Sequence, residues 1–460
     1  MGLVLDFAYL VACVVLSPWI LYRFAAGPAR RELAMRFGAG LGAPLEGSIW
    51  LHGSSAGEVS LLKPLIALLE RDQPEVPLVI TAFTSTGLAA ARKLYARHRV
   101  MPLPFDLSFV VRRYLNRLDP RLVVIVESEF WPNLIRCARR HGASVAVVNG
   151  KMSAKSFRTH VRFGLIPRVL REIDLLAVQT EEHAERLRAL GVAAERMRVT
   201  GNMKYDLTPP PAARGAGPST SDAARLELRR ELGFAPDDVV IIGGSLHERE
   251  DEALLEAYAR ARAANGSAAL IIVPRYPKDA PDVERRARER GFAATLKSAL
   301  AGAARRAPGR DGVLIVDTVG ELGRLYGAAD LAFVGGSLFF RGANKGGHNL
   351  MEPAILAVPV LFGPYNFSFK ETVDDLLAAD AGVLVRDERE LASAIDELVR
   401  DERRRRELGA RAQQVVRAGQ GATARNYELL LKLLYAPRRL PAQRFDRKMS
   451  RPAKDLDLPP

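Results

Sequence analysis

The sequence predicts an α/β protein built from two doubly wound domains, each a parallel sheet covered by helices. The first observation is that short apolar runs alternate with helix-like stretches along most of the 460 residues. The second is that most of these runs are continuous rather than alternating, as expected of parallel strands buried on both faces. The third is a segment rich in Pro, Gly, Ser and Ala, residues 208–222, which separates two such series and is interpreted as a linker.

The apolar runs predict seven strands before the linker and six after it. The expected strands are 48–52, 76–83, 99–105, 121–127, 143–149, 174–179 and 196–201, then 238–244, 269–275, 313–318, 330–336, 358–364 and 382–387. The predicted domains are therefore residues 23–207 and 223–420, facing each other across a cleft. An amphipathic helix is expected within 421–436, followed by a basic tail, 437–460, that is predicted to be disordered.

Composition narrows the class of protein. The chain is 48% hydrophobic and 26% charged, typical of a globular protein, and Cys13 and Cys137 have no motif spacing, so neither a disulfide framework nor a cysteine metal site is indicated. A net charge of +14 suits nucleic acid, an anionic membrane surface or a phosphorylated substrate. The sequence has neither a basic stripe interleaved with aromatic residues nor a zinc-finger spacing. Nucleic acid is therefore ranked last of the three candidate partners.

The N-terminus predicts a membrane anchor over residues 1–22. Residues 3–21 are apolar apart from Asp6 and just reach the length of a span, roughly 17–25 residues. Basic residues follow this run: Arg23, Arg30, Arg31 and Arg36. By the positive-inside rule they place the rest of the chain in the cytoplasm. Pro18 and Trp19 leave open a helix that lies in the interface instead of crossing the bilayer.

Polar residues and glycines follow the predicted strands, and in parallel sheets ligands bind at these carboxyl ends. The polar segments of the first domain are 53–58, 84–87, 105–106, 127–133, 149–153, 179–182 and 201–206. Those of the second domain are 243–250, 274–279, 317–322, 335–353 and 363–371. The sequence therefore predicts a functional site at this edge of both sheets.

In the first domain the candidate side chains are carboxylates and one lysine. Glu58 follows a turn of small residues that includes Ser54 and Ser55, and it lies at the start of a helix. It is either a functional carboxylate or an acidic first-turn residue that favours the helix dipole by about 0.3–1 kcal/mol. Glu127 and Glu129 share a face only if their strand continues, and the polar "ESE" is expected to end it. Lys204, before an aspartate, is by itself an ordinary solvated lysine.

In the second domain the candidates suit a nucleotide. Arg275 directly follows a buried strand, where it either pairs with a phosphate or is a surface arginine. Glu352 either binds a ribose hydroxyl pair or is a first-turn acidic residue. The loop 342–347 offers backbone N–H groups and a helix N-terminus for phosphate. Further possible site residues nearby are Ser245, Gly347 and His348.

Several classes of enzyme are disfavoured because their motifs are missing. No His, Cys and Asp residues have metal-ligand spacing, and His52, His247 and His348 are scattered, so no metal is expected. The chain has no G-x-S-x-G, no P-loop and no G-x-G-x-x-G after the first strand. This argues against a serine hydrolase, an NTPase and a Rossmann dehydrogenase.

Taken together, the motifs resemble those of one family, the bacterial 3-deoxy-D-manno-octulosonic acid (Kdo) transferases of lipid A biosynthesis, membrane-associated glycosyltransferases of the GT-B fold. They occur in family order from the anchor to about residue 435. The matching stretches are "LHGSSAGEV", "ESEFWPNL", "VTGNMKYD", "GGSLHERE", "IIVPRYP", "DTVGELGRLYGAADLAFVGGSL", "GGHNLMEPA" and "PVLFGPYNFSFKE". The loop "FFRGANKGGHN", residues 339–349, is a few residues longer than is usual in the family.

The resemblance implies an activity and roles for residues. It implies a GT-B enzyme at the cytoplasmic side of the inner membrane that transfers Kdo from CMP-Kdo to the lipid A precursor (lipid IVA), with inversion and without a cofactor or metal. Glu58 matches the general base, and Glu127 and Lys204 match positions that support the transition state. The segments matching the CMP site contain Pro274, Arg275, Val319, Gly320, Glu321, Asn349, Leu350, Met351 and Glu352.

The expected partners are thus CMP-Kdo, lipid IVA and the anionic lipids of the inner membrane, with no nucleic acid. Two alternatives remain open. The first is another GT-B transferase that uses a UDP-sugar, which the same fold permits. The second is a membrane-tethered adaptor for anionic lipids, which would bind no nucleotide.

Overall fold

The computed structural model describes residues 28–207, 222–301, 312–342 and 346–438. Within these ranges no helix is long and apolar enough to cross a membrane, and the predicted anchor, residues 1–22, lies outside them. The chain forms two compact units. Unit 1 consists of the described residues of Met1–Leu207 and Gly421–Pro460, and unit 2 of those of Thr208–Gln420.

Unit 1 contains a seven-stranded parallel sheet with the order β3-β2-β1-β4-β5-β6-β7. Its strands are β1 (Ser48–His52), β2 (Leu78–Ala82), β3 (Arg99–Pro102), β4 (Pro120–Val126), β5 (Ser144–Gly150), β6 (Leu175–Val178) and β7 (Met197–Val199). The helices that connect them are α1 (Pro28–Arg36), α2 (Ala56–Asp72), α3 (Ser85–Leu94), α4 (Ser108–Leu118), α5 (Pro132–His141), α6 (Ala154–Phe163), α7 (Leu165–Leu170) and α8 (Glu181–Ala189). A short 3₁₀ helix, Met203–Leu207, ends this part of the chain.

Unit 2 contains a second seven-stranded parallel sheet, with the order β10-β11-β9-β8-β12-β13-β14. Its strands are β8 (Val239–Leu246), β9 (Ala268–Pro274), β10 (Ala293–Leu296), β11 (Gly312–Ile315), β12 (Leu331–Val334), β13 (Val360–Phe362) and β14 (Val383–Leu384). Its helices are α9 (Asp222–Leu232), α10 (Glu250–Ala264), α11 (Ala280–Glu289), α12 (Leu322–Leu325), α13 (Met351–Ala354), α14 (Lys370–Ala378), α15 (Glu388–Arg400) and α16 (Glu402–Gly419).

Both sheets are buried on both faces, which explains the continuous apolar runs. In β1, Ile49 and Leu51 belong to the core on one face, whereas Trp50 belongs to the core on the other. In unit 2, Ile241 and Ile242 divide between two cores in the same way. Since the residues of such a strand meet a hydrophobic layer on each face, they are mostly apolar, and the few polar ones, such as His52 and Thr81, are buried with hydrogen-bond partners. The prediction of two parallel-sheet α/β domains is confirmed.

The sequence missed strand β10. It lies at the end of the sheet, pairs with β11, and its residues are partly or fully exposed. A strand covered this poorly needs no continuous apolar run, and "AATL" does not form one.

The C-terminal helix α17 (Ala422–Leu434) packs on unit 1, not on unit 2, which precedes it in the chain. Its buried face, including Tyr427, Leu430 and Leu434, joins the core beneath α2. The Asp206 carboxylate accepts hydrogen bonds from the N–H groups of Gly421 (2.7 Å) and Thr423 (2.6 Å) at the start of the helix. Beyond the helix, Arg438, which the sequence assigned to the disordered tail, donates to the Asp119 carboxylate. The described residues of the tail are thus held by a charged partner.

Candidate active site

Both sheets contain a point where the strand order reverses. Some candidate residues follow the strands that flank it, whereas Lys204 follows β7 and Arg275 follows β9. In unit 1 this point lies between β1 and β4, which precede Glu58 and Glu127 respectively. In unit 2 it lies between β8 and β12. Since neighbouring chain connections leave in opposite directions there, the carboxyl ends of the two strands flank an open crevice.

Glu58 is held in place at the start of helix α2. Ser55 is the N-cap: its hydroxyl oxygen accepts from Glu58 N (3.3 Å), and the hydroxyl donates to Glu58 Oε1 (2.8 Å). The backbone N–H of Ser54 donates to Glu58 Oε2 (2.8 Å). Both carboxylate oxygens are therefore oriented by the turn that precedes the helix, a variant of the capping box.

The small residues of this turn are required by close packing. A Cβ on Gly53 would lie 3.0 Å from the backbone of Glu58 and Val59. A Cβ on Gly87, from the neighbouring helix α3, would lie 2.8 Å from Ser54 O. The turn can therefore present the carboxylate only because side chains are missing at these positions.

Three carboxylates influence one another at this edge of unit 1. Burial raises the pKa of Glu58, and the negative charges of Glu127 and Glu129 add to it, which together outweigh the hydrogen bonds from Ser54 and Ser55. Burial and the charge of Glu127 likewise raise the pKa of Glu129. A half-buried carboxylate with a raised pKa is suited to accept a proton near neutral pH.

Strand β4 ends at Val126, so the prediction that "ESE" terminates the strand is confirmed. Glu127 adopts a left-handed backbone conformation (φ 64°), which is uncommon for a residue with a side chain. Its carboxylate forms an ion pair with Lys151 Nζ (2.7 Å). Lys151 was not among the predicted site residues, although it follows β5, the strand next to β4, within the polar segment 149–153.

His52, at the end of β1, contacts the turn through Ser54. Its Nδ1 lies 3.1 Å from Thr81 O, and its Nε2 lies 3.1 Å from Ser54 Oγ. Burial lowers the pKa of His52 to about 4, so the ring is neutral and Nδ1 carries the proton donated to the carbonyl oxygen. This histidine has a supporting role behind Ser54.

Lys204 lies in the 3₁₀ helix at the end of unit 1's first segment, and this helix is tied to the sheet. The buried side chain of Asn149, at the end of β5, accepts from Met203 N (2.9 Å). Asn202 Oδ1 accepts from Lys204 N (3.0 Å). The lysine and Lys151 are therefore both positioned from the carboxyl end of β5.

Unit 2 contains a cavity of about 330 Å³ at the carboxyl ends of β8 and β9. It is lined by most of the residues that the sequence predicted for the nucleotide: Ser245, Pro274, Arg275, Val319, Gly320, His348, Asn349 and Glu352. Arg275 is exposed, its backbone N–H donates to Leu246 O (2.7 Å), and its guanidinium lies 5.4 Å from the centre of the Tyr276 ring. Asn349 Nδ2 donates to Glu352 Oε1 (3.3 Å). A cationic group and a polar pair thus face one small cavity.

The other predicted residues of this region lie beside the cavity. The Glu321 carboxylate is bound by Lys297 Nζ (2.8 Å) and the Thr318 hydroxyl; burial would raise its pKa, but these hydrogen bonds lower it. Leu350 and Met351 are buried in the core. The Gly347 N–H donates to Gly336 O (2.7 Å), which fixes the loop.

The expected helix N-terminus for phosphate needs a correction. The helix that follows the glycine-rich loop, α13, is a single turn of four residues, so its dipole is too short to attract an anion strongly. A cationic side chain, Arg275, is the better phosphate ligand in this cavity.

The structure also brings together two histidines that are 101 residues apart. His247 Nε2 and His348 Nε2 lie 2.9 Å from each other beside the cavity. The sequence treated them as scattered, because their contact depends on β8 and β12 being neighbours in the sheet. Among the described residues no group of three or more His, Cys, Asp or Glu side chains could hold a metal ion.

Solved structures with little sequence identity share the fold. The crystal structure of UDP-GlcNAc 2-epimerase from Neisseria meningitidis bound to UDP-GlcNAc matches with a TM-score of 0.55 and 13% identity, over 84% of this chain and 100% of that chain. At this identity the likeness shows the fold alone. The class is thus an α/β protein of two parallel-sheet units, similar to the GT-B architecture.

Sequence comparison gives the family. The model of the 3-deoxy-D-manno-octulosonic-acid transferase (kdotransferase) family matches residues 31–207. The 3-deoxy-D-manno-octulosonic acid transferase of Bordetella pertussis is 33% identical over 86% of this chain and 89% of its own length. That of Chlamydophila psittaci is 34% identical over 82% and 83%. The chain belongs to the Kdo transferase family and is a glycosyltransferase.

The electrostatics of unit 1 lead to a prediction about Glu58. Its pKa should lie above that of an ordinary glutamate, and Glu129→Gln should lower it, because this substitution removes a nearby negative charge. Site-resolved ¹³C NMR titration of the glutamate carboxyl groups measures both values. The matched control is Glu70→Gln, on the same helix but paired with His98. An unchanged Glu58 pKa in Glu129→Gln would show that the two carboxylates do not interact.

Proposed function

We propose that this enzyme transfers Kdo from CMP-Kdo to the lipid A precursor (lipid IVA) in lipopolysaccharide core biosynthesis, with Glu58 as the general base. The observation that carries the proposal is the placement of Glu58. Its carboxylate is oriented by Ser54 and Ser55 at the crevice of unit 1, and burial raises its pKa. Membership of the Kdo transferase family supports Kdo as the sugar that is transferred.

The proposed reaction is a direct displacement. The acceptor hydroxyl oxygen forms a bond to the anomeric carbon of Kdo while the bond from that carbon to the phosphate oxygen breaks, and CMP leaves with the bonding electrons. Glu58 takes the hydroxyl proton as the nucleophile attacks. Attack from the side opposite the leaving group inverts the anomeric centre.

Charged groups at the same edge of unit 1 are suited to stabilise the transition state. Positive charge from Lys204 offsets the charge that develops on the departing phosphate. Lys151 neutralises Glu127 by their ion pair (2.7 Å), which limits the repulsion that the incoming anionic donor would meet. The ionised form of Glu58 is required, so activity should fall as the pH drops through its raised pKa.

The cavity of unit 2 is the proposed CMP site. A volume of about 330 Å³ lies at the lower end of the range for small-molecule pockets. Arg275 would bind the phosphate, and Glu352, next to Asn349, would accept hydrogen bonds from the ribose hydroxyls. No metal or cofactor is needed in this proposal, because arginine and lysine side chains supply the positive charge.

The base is tested by Glu58→Gln. The substitution preserves shape but removes the proton acceptor, so kcat should fall roughly 10²–10⁴-fold. CMP affinity should remain near that of the wild type, since the residues proposed to bind CMP belong to unit 2. The melting temperature should change little, because burial already disfavours the charged form of Glu58. The measurements are kcat with CMP-Kdo and lipid IVA, CMP affinity and thermal melting on one preparation, with Glu70→Gln as control. A near-normal kcat would show that Glu58 is not the general base and only stabilises the start of the helix.

The donor site is tested by Arg275→Ala. Loss of a charge-assisted hydrogen bond should weaken CMP binding by about 1.5–3 kcal/mol, and lysine at this position should restore only part of it. Lys278→Ala is the matched control, since Lys278 is a neighbouring cation that does not line the cavity. Calorimetric titration with CMP and UMP measures the loss and the preference for the base. A preference for UMP would favour a UDP-sugar donor instead.

We also propose that residues 1–22 anchor the enzyme to the inner membrane, with both units on the cytoplasmic side. Deleting these residues should move the protein from the membrane to the soluble fraction and leave CMP affinity unchanged. Basic residues such as Arg30 and Arg31 should retain a weak, salt-sensitive attraction to anionic vesicles. Cell fractionation and vesicle sedimentation measure the two effects. A truncated enzyme that stays in the membrane fraction at high salt would contradict the proposal.

A further inference from the structure

The two histidines beside the cavity of unit 2 form a hydrogen-bonded pair. Their Nε2 atoms are 2.9 Å apart, and the ring planes differ by 14°. His348 lines the same cavity as Arg275, Asn349 and Glu352. Neither the family assignment nor the cavity says what the two rings do together, and among the described residues they belong to no group that could hold a metal ion.

The pair is held by a buried carboxylate. Glu250, which is 1% exposed, accepts four backbone hydrogen bonds: from His247 (2.9 Å), Gly336 (2.7 Å), Ser337 (2.9 Å) and Leu338 (2.9 Å). It thereby joins the turn after β8 to the turn after β12. A Cβ on Gly336 would lie 2.8 Å from His348 Cδ2 and 3.3 Å from His247 Cδ2, so the glycine leaves the space that the rings occupy. The contact between the rings is therefore set by the scaffold.

The bond between the rings determines what the pair can offer a ligand. When both imidazoles are neutral, one Nε2 donates its proton to the other Nε2. The donating ring then has a bare Nδ1, and the accepting ring has an Nδ1–H group. Uptake of one proton converts the bare Nδ1 into a second donor and gives the pair a positive charge. Such a pair can match an anion by changing its protonation.

The charged groups around the pair make its protonation depend on an anion. Burial and the guanidinium groups of Arg275 and Arg341 lower the pKa of both imidazoles to about 4, while Asp279 acts in the opposite direction on His247. Tyr276 contacts the His247 ring edge-on. The charge of His247 also lowers the pKa of His348. An anion bound by Arg275 would offset the arginine charge that, together with burial, keeps the pair neutral.

We infer that His247 and His348 form a proton-sharing pair that recognises the phosphodiester of the nucleotide donor and takes up a proton when it binds. The inference rests on the proposed function, since it assigns the pair to the site where CMP-Kdo would bind. Glu250 joins the turn that carries His247 to the turn after β12. The pair is not needed to bind the nucleoside part of the donor.

The proposal gives binding a defined pH dependence. Because the anion raises the pKa of the pair above its value in the free enzyme, the extra affinity is fully present below the free pKa. It is lost as the pH rises through the pKa of the complex. Between these two values the dissociation constant should rise by up to about tenfold per pH unit. Above them it should become constant.

The probe is the 5′-phosphate methyl ester of CMP, whose phosphodiester keeps one negative charge across the range tested. Calorimetric titrations of the full-length enzyme between pH 5 and 8, in buffers of different ionisation enthalpy, count the protons taken up. Cytidine, which has the same base and sugar without the phosphate, is the matched ligand. The wild type should take up a proton with the ester at the acidic end and none with cytidine.

Two variants separate recognition from support. His348→Gln and His247→Gln should abolish proton uptake and weaken binding of the ester several-fold. The affinity for cytidine should be unchanged. His98→Gln, in unit 1, is the control and should behave as the wild type. If the histidines only hold the loops, the variants should bind both ligands more weakly, and the wild type should take up no proton. Either result would overturn the inference. An enzyme that binds cytidine and the ester without proton uptake retains the proposed function, whereas failure to bind any cytidine compound contradicts both.

Discussion

The sites of both units depend on one constraint: a parallel sheet whose strand order reverses at its first strand. The reversal leaves the carboxyl ends of two adjacent strands without a covering connection. In unit 1 these are β1 and β4, which bring Glu58 into electrostatic range of Glu127 and Glu129. In unit 2 they are β8 and β12, which bring His247 to His348. Residues far apart in sequence thus become neighbours because of strand order, and their chemistry follows.

A comparison of Glu58 and Glu250 shows how similar placement leads to different roles. Each glutamate lies near the start of the helix that follows the first strand of its sheet. Glu250 is buried and accepts four backbone hydrogen bonds, so its lone pairs are satisfied and it serves as a structural link. Glu58 is half-buried and accepts from one N–H and one hydroxyl. The carboxylate with fewer hydrogen bonds is the one that we propose as the general base.

The sequence predicted the features that local chemistry determines. Strands covered on both faces require continuous apolar runs, and the end of β4 before "ESE" follows from the polarity of Glu127. The sequence missed edge strand β10, which is too exposed to need such a run. It missed the pairs Glu127–Lys151 and His247–His348, because both depend on which strands are adjacent. It also expected a helix N-terminus for phosphate near residue 350, where the helix is a single turn, because short helical turns have no periodicity to reveal their length.

The C-terminal helix has a consequence for how the protein is made. Because α17 returns to unit 1 and completes its core, unit 2 is an insertion within unit 1 rather than a separate domain that follows it in the chain. The contacts of Tyr427 with Asp72 and of Gly421 with Asp206 span more than two hundred residues. On the ribosome, unit 2 can fold as soon as its own segment emerges. The apolar face of unit 1 that α17 covers stays exposed until α17 itself has been synthesised.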